Sequence, residues 1–177
     1  AATLVNARLF QQAQLRADEL ATLNELGQRL TSRLSLDRVL DEVRRGISRL
    51  LDTKNFYIGL YDSEKNEGSF PLNITESVID KKITVIPADR GITGYILRTY
   101  ENVLIKEDLN GWLKGKGIEQ VGDPAMSWLG VPLMLGDKAL GVMALQNYKE
   151  NHAYNDHDQS VLTAIAIAAT RAHAQVT

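Results

Sequence analysis

The stretch 127–147, SWLGVPLMLGDKALGVMALQN, restricts more than any other what this chain can fold into. Leu129, Val131, Leu133 and Leu135 alternate with Trp128, Gly130, Pro132 and Met134. Leu140, Val142 and Ala144 alternate with Gly141, Met143 and Leu145. A period of two puts each set on its own face of a sheet. Gly136-Asp137-Lys138 separates the two runs, and Gly followed by Asp is a tight-turn signal, so the stretch predicts a β-hairpin. Neither face is clearly polar, which predicts a central hairpin covered on both sides. Pro132 cannot donate to a ladder and asks for a bulge or an edge at that point. Nothing in the hairpin suggests a metal ligand or an activated nucleophile; its value is as a scaffold.

Helices and further strands surround the hairpin in the chain. Residues 3–34 contain no Pro and one Gly, Gly27, and are rich in Leu, Ala, Gln, Arg and Glu, all good helix formers. Leu9, Ala13, Leu20, Leu23, Leu26, Leu30 and Leu34 recur at spacings of three, four and seven, the pattern of a long amphipathic helix. Its stripe lies far in sequence from the hairpin. It is expected to seek a partner helix as a dimeric coiled coil or bundle, the alternative being that it folds back on its own domain. Arg16 and Gly27 interrupt the heptads. The chain therefore divides into a long coiled-coil helix, 1–34, and a folded domain, 35–177.

In that domain Ser35 is expected to cap a second helix, lined by Val39, Leu40, Val43, Ile47, Leu50 and Leu51. Strands are predicted at 56–61, 69–77 and 83–86, a short helix at 92–99, and a strand at 103–105. Residues 106–124 read as a long irregular connection with a helical turn around Trp112, and such loops are often functional. Asn155 or Asp156 opens a last helix, lined by Val161, Leu162, Ile165, Ala168, Ala169 and Ala172. Antiparallel strands with helices segregated to one face are the natural solution, an α+β sandwich with the first and last helices close together.

The 177 residues carry a formal net charge of -2, which gives no electrostatic case for nucleic acid or an acidic membrane. No cysteine is present, which removes disulfides, thiolate metal sites, thiol catalysis and thioether-linked cofactors. That fits a cytoplasmic setting. No apolar run approaches the ~18 residues of a membrane span, and no signal peptide is visible. The chain begins without Met and ends inside a helical pattern, so a piece of a longer protein is expected.

Three stretches together resemble the GAF domain, a sensory relative of the PAS fold. ADRGITGYILRTYENVLIKEDL, 88–109, resembles the family's glycine-led short helix, next strand and acidic tail. The hairpin resembles its V-P-L and G-V-x-A-L runs. YNDHDQSVLTAIAIAA, 154–169, resembles its aromatic-x-x-x-Asp entry to the last helix. The resemblance spans about 23–174. It implies a six-stranded antiparallel sheet, terminal helices on one face, and short helices and loops roofing a small-molecule pocket on the other. It also implies a homodimer formed through the terminal helices and a downstream output domain. Cyclic-nucleotide-binding members carry Asn-Lys…Phe-x-x-x-Asp-Glu. Here Tyr148 separates Asn147 from Lys149, Tyr154 stands for the Phe and Asp158-Gln159 for Asp-Glu, which argues against that ligand. A Lys149–Asp158 ion pair is expected from the same comparison. Bilin attachment and free-methionine-sulfoxide reductase chemistry need Cys in the family, and this chain has none.

The candidate ligand-binding residues are Tyr57 and Tyr61 on one face of the first strand, Ile92, Tyr95 and Trp112 on the roof, and Ser127 and Trp128 at the mouth of the hairpin. Phenol hydroxyls want partners, which protein, solvent or a ligand supplies. No catalytic residue, cofactor or metal site is expected. Ser127 has no His and acid in recognisable spacing, and His152, His157 and His173 lack the spacing of a metal pair. Lys114 and Lys116 with Gly115 and Gly117 read as a flexible basic loop, solvated or facing an anion. The expected function is a regulatory sensory module, not an enzyme, that binds an unknown small molecule non-covalently or relays a signal through paired helices. The alternative is a ligand-free structural dimerisation module of a multidomain signalling or transcription-regulatory protein.

Overall fold

A computed structural model describes residues 2–80 and 84–176, with side chains except those of 25–34 and 176. The elements in chain order are α1 (Ala2–Ser48), β1 (Phe56–Asp62), β2 (Glu67–Thr75), β3 (Val78–Asp80), β4 (Val85–Pro87), α2 (Gly91–Thr99), β5 (Val103–Ile105), α3 (Leu109–Lys116), β6 (Ser127–Leu135), β7 (Lys138–Asn147) and α4 (Asp156–Val176).

One antiparallel sheet runs β3-β2-β1-β7-β6-β5, and β4 pairs with the opposite end of β2. The predicted hairpin is β6 and β7, paired from Ser127–Asn147 to Leu135–Lys138. Gly136 takes φ 64 in its two-residue turn, a backbone state glycine adopts without steric cost. β5 pairs only with residues 128–130, so at Pro132 the strand is an edge and the missing N–H is tolerated.

Both hairpin faces are buried, as the absence of a polar face predicts. On one face Leu129, Val131, Leu133, Met143 and Leu145 join Phe56, Ile58, Leu72 and Ile74. Leu40, Val43 and Ile47 of α1 and Leu162 and Ala166 of α4 close over them. The two terminal helices thus lie on the same face. On the other face Val142, Ala144 and Trp128 pack with Ile96 of α2, Val103 and Ile105 of β5, and Leu109 and Leu113 of α3.

Several expectations need correction. The two N-terminal helices are one continuous helix of 47 residues, about 70 Å long at 1.5 Å per residue. Ser35 lies inside it, because a cap requires the backbone to leave the helical region, and no Gly or Pro near Ser35 forces that. β3 is additional. It follows β2 through a two-residue turn in which Glu76 and Ser77 have φ 48 and 68. This turn lacks the usual Asn or Gly and is held from outside: Glu76 N–H donates to Asn55 Oδ1 (2.9 Å), and Lys54 Nζ lies 2.9 Å from the Glu76 carboxylate. The strand predicted at 83–86 is β4; Ile83 lies outside the described residues.

Lys114 and Lys116 belong to α3, not to a loop. Asp108 Oδ1 accepts from Gly111 N–H (3.0 Å) at the start of that helix, and Gly117 closes it with φ 68. Asp158 makes no pair with Lys149 among the described residues. It accepts from Asn155 N–H (2.9 Å), and Asn155 Oδ1 accepts from Asp158 N–H (2.9 Å), a reciprocal cap that opens α4.

The first half of α1 runs clear of the sheet. Leu4, Val5, Leu9, Phe10, Leu15, Leu20 and Leu23 are all more than half exposed.

Two glycine substitutions should move stability in opposite directions in urea unfolding. A Cβ at Gly141 would overlap the Gly59 carbonyl on the adjacent strand, so Gly141→Ala should cost about 1–3 kcal/mol. Gly46 sits inside α1 with open space where its Cβ would be, so Gly46→Ala should add about 0.5–1 kcal/mol.

Candidate functional site

The sheet face away from α1 and α4 is filled only in part. Its β5 side carries the second core. Toward β1 and β2 it opens into a cavity of about 410 Å³. Tyr57 of β1, Phe70 and Asn73 of β2, Trp128 of β6, Gln146 of β7 and Tyr148 just beyond it form the floor and walls. The first turn of α2 and the strap 117–126 form the roof.

Each wall is positioned by a local device. Trp128 is 3% exposed, and its six-membered ring lies over Gly130 in space that any side chain at 130 would occupy. The Tyr57 hydroxyl is hydrogen-bonded to Thr93 Oγ1 (2.9 Å), which ties β1 to the first turn of α2. Its ring meets Phe70 edge-on, with centroids 5.5 Å apart. Burial pushes the Tyr57 hydroxyl up to about 12, against a smaller opposing pull from the Thr93 bond. Tyr148 donates to Gln146 Oε1 (3.1 Å).

The roof rests on glycines. Gly91 takes φ 63, and Val121 of the strap packs where its side chain would be. Gly94 brings α2 against the backbone of Ala88 and Asp89, where Arg98 donates to the Asp89 carbonyl (3.0 Å). Gln120 Nε2 donates to the carbonyls of Val121 (3.2 Å) and Gly122 (3.1 Å), curling the strap on itself. Arg90 stands at the rim, as do Glu119 and Asp123 of the strap.

Of the sequence candidates, Tyr57, Ile92 and Trp128 meet at the cavity. Tyr61 is at the far end of β1, donating to Asn66 Oδ1 (3.3 Å). Tyr95 and Trp112 pack edge-to-face at 5.4 Å outside the cavity, with Lys116 Nζ 5.6 and 5.9 Å from their ring centroids. The Tyr95 hydroxyl donates to Glu101 (2.7 Å). Ser127 is fully buried on the helix-covered face, its Oγ donating to the Glu150 carbonyl (2.9 Å). Adjacent strand residues point to opposite faces, so Ser127 and Trp128 cannot line one cavity.

Asn73, Phe70, Arg90, Gln146 and Tyr148 were not legible as site residues, whereas most of the strap falls in the connection 106–124 that the sequence marks as functional. The signal for Gln146 is the hairpin register, which sets it beside Trp128. The lining offers carboxamides, hydroxyls, one guanidinium and two carboxylates, groups suited to binding. Among the described residues no three His, Cys, Asp or Glu side chains form a metal cradle. His152 faces Glu107 at 3.1 Å on the surface.

The raised Tyr57 hydroxyl predicts an alkaline stability slope. Folded Tyr57 holds its proton more tightly than the unfolded chain. Its contribution is complete below the ordinary tyrosine value of 10.0 and is lost as pH rises toward about 12. Tyr154 is raised too, mainly by burial. Unfolding midpoints should fall between pH 10 and 12, and Tyr57→Phe should make that fall shallower by up to about 1.4 kcal/mol per pH unit.

Comparison with known proteins places this geometry. Residues 33–172 match the family model described as GAF domain. A methyl-accepting chemotaxis protein fragment, residues 122 to 287, is similar in structure with a TM-score of 0.69 at 19% identity, over 82% of this chain and 96% of that one. The type II free methionine-R-sulfoxide reductase from Thermoplasma acidophilum gives 0.62 at 11% identity, over 82% and 96%. The second GAF domain of DevS from Mycobacterium smegmatis gives 0.58 at 14% identity, over 79% and 94%. At these identities the likeness is one of fold.

Proposed function

Because this chain belongs to the GAF domain family, we propose that it is a regulatory sensory module. It binds a small molecule without a covalent bond and passes the bound state on through its terminal helices to an output domain of the parent protein. The observation that carries this reading is the cavity of about 410 Å³, on the opposite side of the sheet from α1 and α4. The chemotaxis protein and DevS relatives support a place in signalling.

A route from cavity to helix is built into one strand. Tyr57 faces the cavity, while its neighbours Phe56 and Ile58 belong to the core that holds Val43 and Ile47 of α1. A ligand that prefers one arrangement of the strap and α2 shifts that arrangement by its difference in affinity for the two states, and no further. The exposed apolar residues of α1 are the surface through which the shift reaches a second copy, by pairing of helices in a cytoplasmic homodimer.

The reductase relative shows that this fold can carry an enzyme. The present chain has no cysteine, and its cavity is lined by groups that bind, so we assign it a regulatory role. The second reading, a dimerisation module that needs no ligand, is favoured by the uncovered leucines of α1 alone.

Scanning fluorimetry against nucleotides and metabolites separates the two. A ligand at a hundred times its Kd adds about 2.7 kcal/mol, a rise of about 5–10 °C for a domain of this size. At least one compound class should produce it. A flat response across the panel would leave the dimerisation module. In native mass spectrometry the chain should appear at dimer mass, and Leu20→Glu with Leu23→Glu should give the monomer without lowering the melting temperature of the domain.

A further inference from the structure

We propose that the ligand of this cavity is a flat-ringed molecule that presents an acceptor oxygen, carbonyl or carboxylate, to two donors on the floor: the indole N–H of Trp128 and the carboxamide N–H of Gln146. This rests on the reading of the cavity as a ligand site.

The first donor is Trp128. The residue is 97% removed from solvent by its 3% exposure, yet its indole N–H bonds to no described residue. Nε1 is not sealed, and the cavity is the space the side chain borders. A donor so placed is unfavourable unless water or a ligand accepts from it. Gln146 is its direct cross-strand partner, so the two side chains leave the same face about 5 Å apart. The Tyr148 hydroxyl donates to Gln146 Oε1 (3.1 Å). That engages the accepting half of the carboxamide and leaves Nε2 to donate. Two donors stand side by side, and what fits between them is an acceptor.

The rest of the cavity narrows the class. Trp128, Tyr57, Phe70 and Tyr148 line it with aromatic surface, which takes a flat ring edge-on or offset. At the rim Arg90 is opposed by Glu119 and Asp123. A multiply charged phosphate gains little there, whereas a neutral carbonyl or a single carboxylate deep on the floor avoids the two acids. An amine at the floor would set donor against donor.

The test reads Trp128 directly. The chain has two tryptophans, so a ¹⁵N-labelled sample shows two indole signals, and Trp112→Phe assigns them. Three probes on one ring are titrated: 2-naphthoate, 2-acetylnaphthalene and 2-naphthylamine. The acceptor probes should move the Trp128 indole proton downfield to saturation, and the amine should bind at least tenfold more weakly. Response to 2-naphthoate alone selects the carboxylate; response to the ketone as well selects any carbonyl. Gln146→Leu should weaken the acceptor probes at least tenfold while the amide spectrum stays dispersed. The proposal fails if the amine binds as tightly as the naphthoate, if the acceptor probes bind with the Trp128 signal unmoved, or if no probe binds. The metabolite panel reports independently. A stabilising compound there that leaves the Trp128 signal still would reject this assignment and keep the sensory reading.

Discussion

The fold depends on two helices from opposite ends of the chain burying their apolar faces on one side of one sheet. Ile47 of α1 and Leu162 of α4 are both fully buried against Phe56, Leu129 and Leu145, which are equally inaccessible. Each such side chain is worth about 1.5–3 kcal/mol when removed from water. Most of the stability of helices in a folded domain comes from packing of this kind. The same burial fixes the sheet's polarity: one face is committed to the helices, and the cavity of about 410 Å³ lies on the other. The cavity follows from that division, because α2, α3 and β5 are too short to cover what α1 and α4 cover opposite them.

The other face adds polar ties and close backbone approaches to a smaller packed core. Tyr57 reaches Thr93, Asp108 caps α3, and Gly91 and Gly94 let the roof come down onto the sheet. The strap 117–126 is exposed along most of its length, so it belongs to the part of the molecule that opens at low cost. A stiff floor under a lightly held strap is the arrangement a binding site needs if occupancy is to change anything.

Much of this was legible in the sequence. The hairpin, β5 and α2 follow from unbroken alternation or helical spacing, and the family resemblance carried the layer order. What stayed hidden has physical causes. Glu76-Ser77 turns the chain without the residues that announce such a turn, because Asn55 and Lys54 support it from elsewhere. The site suffered from a bulge: counting back from the Leu135–Lys138 pair sets Trp128 opposite Leu145, but the register shift between Leu133 and Met134 sets it opposite Gln146. Tyr95 and Trp112 found each other, leaving Asn73 and Tyr148, distant in sequence, to line the cavity. Contacts between segments far apart in the chain leave no local pattern.

The continuity of α1 has a geometric consequence. Leu20, exposed, and Ile47, buried on the sheet, are 27 residues apart on one unbroken helix. At 3.6 residues per turn that separation is about seven and a half turns, so the two side chains leave the rod on opposite sides. Whatever seats itself on Leu20 sits about 40 Å along the rod from Ile47 and on its other side. A twist of the rod against the sheet would therefore swing such a contact like the far arm of a crank, without any loop in between to absorb the motion.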